Sequence, residues 1–127
     1  MAKLGAVLVY SASPSAAGQG NSFFFKVDSG DPLFCTVHAK QAAGGGSDTL
    51  KVKIQGRLDP SLGWQDLKKQ DMSTEASSAQ VAGAAKEEIF QCQIMPEMRV
   101  DISGTITGAR AVSCHIFGVS SASRANS

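Results

Sequence analysis

Two histidines, His38 and His115, are the first residues in this chain to consider for proton transfer or metal ligation. Both fall on strand positions that alternate with apolar residues, and neither has a second histidine or a carboxylate at metal-ligand spacing along the sequence. Cys114 and His115 are adjacent. Neighbours on a strand point to opposite faces, so this pair cannot act as nucleophile and base. Both histidines read as solvated or hydrogen-bonded side chains.

The carboxylates lead to the same reading. Asp28 and Asp31 flank a glycine in DSGDP, and Asp59 opens a second turn. A calcium loop needs more oxygen ligands at fixed offsets, whereas aspartate is a common turn cap. Glu87 and Glu88 are neighbours that diverge on a strand and make no acid–base pair. The glycine run AAGGGSD, residues 42–48, lacks the GK[ST] ending of a phosphate loop and leads into a strand. The expectation is a protein that is not an enzyme, with no catalytic residue, no metal, no cofactor and no small-molecule substrate.

Composition narrows the class further. The 127 residues suit one domain, with 43% apolar and only 18% charged residues and a net charge of +1. Lys51, Lys53 and Arg57 share one strand and read as a solvated face rather than a phosphate-binding patch, so no nucleic acid is expected. No stretch approaches the roughly 20 apolar residues of a membrane span. The apolar run Leu4–Tyr10 lies at the lower limit for a signal peptide. Cys35, Cys92 and Cys114 are widely spaced and odd in number, each among apolar neighbours. That pattern points to buried free thiols in a reducing compartment.

The elements that must position these residues are short strands separated by Gly, Ser, Ala and Pro loops. Strands are expected at Leu4–Tyr10, Phe23–Val27, Leu33–Ala39, 49–58, Glu88–Ile94, from Met98 past Ile102, and from Val112 towards Val119. In the fourth, Leu50, Val52, Ile54 and Leu58 alternate with Lys51, Lys53, Gln55 and Arg57, placing one face on a core. Gly56 falls in the apolar set, where it marks a bulge or close packing. The Ala/Ser-rich stretch near 72–86 reads as a short helix or loop insert. The expected fold is all-β: a two-layer antiparallel β-sandwich, jelly-roll-like, with seven or eight strands in a single domain 1–127. It begins with an apolar strand or arm and ends in a polar tail, 120–127.

Binding surfaces remain. Phe23, Phe24 and Phe25 are consecutive, so at least one faces away from the core and needs a cover. Trp64, the sole tryptophan, follows the turn Asp59–Gly63; with Tyr10 it could form a stacking platform for sugars. Only eight residues are aromatic, however, and six are phenylalanine, which lacks the polar handle of Trp and Tyr. On a regular strand Trp64 and Leu67 face opposite ways, so Trp64 either caps the open end of the sandwich or meets a neighbour, and a cap is expected. Phe24, Trp64, Tyr10 and the tail residue Arg124 are the candidate partner contacts.

Gly56, Leu58, Asp59, Trp64 and Leu67 form a strand-turn pattern that is joined downstream by Met98, Arg99, Val100 and Ile102, a Gly-rich turn and a closing strand. This combination, over roughly the C-terminal two-thirds of the chain, resembles small β-sandwich virion proteins of tailed bacteriophages, most of all the capsid cement (decoration) proteins. The resemblance implies a non-enzymatic protein that stabilises the shell of major capsid protein. It also implies a homo-dimer or homo-trimer on the capsid surface, assembled in the host cytoplasm. A tail, baseplate or fibre component is the nearest alternative, and a carbohydrate-binding module using Trp64 is a second.

Overall fold

The computed structural model describes residues 6–24 and 34–117. Period-two patterning produces the strands. In β5 (Lys51–Arg57), Val52, Ile54 and Gly56 are buried while Lys51, Lys53, Gln55 and Arg57 lie on the wetter face. The other strands are β1 (Ala6–Ala12), β2 (Gly18–Gln19), β3 (Phe23–Phe24), β4 (Phe34–Gln41), β6 (Gln65–Asp66), β7 (Ser77–Ala79), β8 (Lys86–Gln93), β9 (Glu97–Ser103) and β10 (Val112–Phe117).

They make two antiparallel sheets. The first has the order β1-β10-β4-β8; the second has β2-β9-β5-β6, with β3 also on β9 and β7 also on β5. Apart from the β5–β6–β7 excursion and the step from β2 to β3, each connection passes from one sheet to the other. The two sheets form the antiparallel β-sandwich expected from the sequence, in a jelly-roll-like winding that the sequence left open. The described residues form ten strands rather than seven or eight because two ribbons are broken: β2 and β3 share β9, and β6 and β7 share β5.

Inward-facing Cys35, Val37, Phe90, Cys92, Cys114 and Ile116 of the first sheet pack against Val52, Ile54, Met98, Val100 and Ile102 of the second, with Leu50 and Leu67 completing the core. Gly56 is a place of close packing: a Cβ there would come within 2.8 Å of the Met95 Cβ and 3.0 Å of a Leu67 methyl.

Two expectations need correction. The stretch 72–86 holds no helix. Ser77–Ala79 forms a strand on the edge of β5, with Ala76, Ser78 and Gln80 buried at alternate positions. A helix there would leave the Lys51–Lys53 edge without its hydrogen-bond partner. Leu58 is not the end of an inward row: β5 stops at Arg57, and Leu58 is 65% exposed in the following turn. Of the strand expected over Phe23–Val27, Phe23 and Phe24 are in a strand as expected, while Phe25, Val27, Asp28, Asp31 and Leu33 lie outside the described residues, as does Arg124.

A candidate docking site at one end of the sandwich

Strand register brings two of the candidate contacts into one row. Phe24 pairs with Glu97, and Glu97 with Arg57; Gly56 pairs with Gln65, which sets Trp64 beside Arg57. The outer face of the second sheet therefore runs Phe24–Glu97–Arg57–Trp64 from edge to edge. Phe24 is 56% exposed, whereas its neighbour Phe23 turns inward against the core. Trp64 does not cap the sandwich. Its ring lies across the outer face, with the guanidinium carbons of Arg57 and Arg99 each 4.3 Å from its centroid.

Around this row the outer face is a lattice of charge pairs. Lys51 meets Glu75 at 2.9 Å, Lys53 meets Asp66 at 3.2 Å and Asp101 at 3.6 Å, and Arg57 Nε donates to Glu97 at 2.7 Å. The basic strand read as a solvated face is thus tied to four carboxylates from three other segments. The Arg57 hydrogen bond holds the Glu97 carboxyl below its ordinary range, and the Gln55 hydrogen bond, joined by Lys53, does the same for Asp66.

Beyond Arg57 the surface becomes apolar. The Asp59–Gly63 turn is locked by Asp59, whose carboxylate accepts the Ser61 amide at 2.9 Å and whose carbonyl accepts the Leu62 amide at 2.9 Å. A second turn uses Asp71 in the same way, accepting the Ser73 and Thr74 amides at 2.9 and 2.8 Å. These donors, led by the Thr74 hydroxyl, bring the Asp71 carboxyl down to about 2. The two turns hold Leu58, Leu62 and Met72 outward, each at least half exposed. Together they rim an open cleft of about 400 Å³ over Phe34, Ile94 and Met95, and an adjoining hollow of about 310 Å³ that reaches Arg57. Met72 sits at φ 61°, a left-handed conformation that side chains other than glycine adopt at a cost.

Tyr10 is not part of this surface. A bulge at Val9 turns it inward, where it packs against the core and over Gly20 at the seam between β1 and β2, and burial pushes its hydroxyl pKa up. The histidines, distant in sequence, face one another in register on the outer face of the first sheet, and His38 Nε2 lies 2.5 Å from a Glu87 carboxylate oxygen. Among the described residues no group of three His, Cys, Asp or Glu side chains is placed to hold a metal ion. Sequence reasoning missed the apolar rim. Leu62 and Met72 sit in turns, where no periodicity marks them, and Leu58 continues the period of β5.

The arrangement offers exposed aliphatic side chains, a Trp–Arg cluster and an open hollow, residue types that are common in protein–protein contacts. No known protein-family model, curated protein or solved structure matches the chain.

Proposed function

We propose that this chain is a non-enzymatic structural protein of a phage virion, a capsid cement protein that docks on the major capsid protein through the end of the sandwich described above. The observation that carries this reading is the apolar rim. Leu58, Leu62 and Met72 are held outward by two aspartate-locked turns around a cleft, at a cost in exposed apolar surface that a partner would remove. Jelly-roll winding, shared by viral capsid domains and lectins, supports the setting by fold-level analogy. A cement protein that binds only the mature shell stabilises it by mass action, and many copies make modest contacts sufficient.

The sugar-binding alternative needs an open aromatic platform. Trp64 already lies against two guanidiniums, which weighs against it. A tail or fibre component would use the same docking end and differ in stoichiometry.

The test is the copy number in purified particles. Hundreds per particle, with Leu58→Asp lost from particles while the free protein melts normally, is the expected result. A few dozen copies would place the protein in the tail. Undiminished incorporation of both Leu58→Asp and Met72→Asp would remove the docking end from consideration.

A further inference from the structure

Every cation on the outer face of the second sheet can be matched against the carboxylates around it. Lys51, Lys53 and Arg57 are each within 4 Å of a carboxylate, and Asp66, Glu75, Glu97 and Asp101 are the acids so used. Arg99 stands apart. Its Nε donates at 2.8 Å to the neutral side-chain oxygen of Gln55, and it enters no ion pair among the described residues. The carboxylate that feels its charge, Glu97, is already committed to Arg57. The Arg99 guanidinium is instead stacked on Trp64, which also touches Arg57, a wall of the apolar hollow beneath Leu58 and Leu62.

A planar guanidinium held by an indole and one side-chain oxygen presents its terminal N–H groups as a preorganised fork, the donor geometry that matches a carboxylate. Less side-chain entropy remains to be lost when it binds. From this charge complementarity we infer that the docking end recognises a protein segment in which an Asp or Glu carboxylate lies next to a large aliphatic or aromatic side chain. The carboxylate takes the free edge of Arg99, and the apolar side chain enters the hollow rimmed by Leu58 and Leu62. The inference rests on the docking reading above and gives the partner its chemistry. It also assigns the two arginines different work: Arg57 fixes the lattice through Glu97, and Arg99 faces outward.

A random hexapeptide display library panned on the wild-type protein and on Arg99→Gln tests this. Wild type should enrich peptides with Asp or Glu beside Leu, Ile, Met or Phe. Arg99→Gln should keep the apolar preference and lose the acidic one, and Arg99→Lys should fall between them. The sole tryptophan reports directly: a selected peptide should change Trp64 fluorescence and bind at least about fivefold more tightly than its Glu→Gln counterpart, with the gap closing in high salt. Enrichment without an acidic position, an acidic preference that survives Arg99→Gln, or no enrichment over the unfolded protein would each overturn the inference. So would sedimentation showing a second copy of this chain seated on the Leu58 end. Failure here is distinguishable from failure of the docking reading. Particles that reject Leu58→Asp but accept Arg99→Gln would sink the carboxylate and leave the docking end standing.

Discussion

Asp48 and Arg110 are the most buried charges among the described residues, with side chains 0% and 2% exposed. They join the glycine run to the loop before β10. Arg110 donates to Asp48 and, at 2.8 Å, to Gln80, while the Thr107 hydroxyl reaches Asp48 at 2.8 Å. Gly44 lies directly against the guanidinium, where a Cβ would collide with it. The glycine run is thus a packed contact whose partner lies dozens of residues away, and nothing local signals it. Arg110→Met removes one partner and strands a buried carboxylate, so the melting temperature should fall by about 10 °C or more. The pair also sets a pH dependence. Burial alone would raise the Asp48 carboxyl, but the Arg110 and Thr107 hydrogen bonds outweigh it and hold it at about 2, below its ordinary 3.8. A lowered folded value means stability that is fully present above about pH 4 and is lost as pH falls towards 2. Glu97 and Asp66 are lowered too, so wild type alone will not isolate the effect. The difference in melting temperature between wild type and Asp48→Asn should be large at pH 6 and should shrink towards pH 2. A constant difference would remove Asp48 from the acid response.

Among the elements, β7 and its flanking turns were the least legible. Ala-rich composition suggests helix by propensity, but alternate burial of Ala76, Ser78 and Gln80 on the edge of β5 decides for a strand. The long strands β4, β5, β8, β9 and β10 were legible because each has one dry face, which forces period-two patterning. The turn before β7 offers a test of stability against docking. Met72 holds φ 61° and is 54% exposed, so its side chain contributes little to the core while its backbone is strained. Met72→Gly should raise stability by up to about 1 kcal/mol, less the added entropy of the unfolded chain, and weaken partner binding. A variant that loses stability would show that Met72 packs across the cleft rather than rimming it.

At the scale of the molecule, the two outer faces differ in kind. The second sheet is cross-linked by charge pairs, while the first carries the row Leu8–His115–His38–Ile89, with Leu8 and Ile89 more than half exposed. Two sheets with polar-out strands were legible in the sequence. Their winding was not, because pairing of β1 with β10 or of β2 with β9 joins segments from opposite ends of the chain. All three cysteines lie on the inner face of the first sheet, and Cys35 stands opposite Cys92 between β4 and the edge strand β8. The Cys35 hydrogen bond, followed by burial, pushes the Cys92 thiol well up, and burial pushes Cys114 up to about 12. Raised folded values mean that these thiols favour the folded state below about pH 9 and that the advantage is lost as pH rises from there towards 12. The native protein at pH 8 should therefore resist iodoacetamide. Because one core spans both sheets, all three cysteines should label together, at the rate of global unfolding measured in the same buffer. Faster labelling of Cys92 alone would show that β8 opens on its own, and the sandwich would then be two cooperative units rather than one.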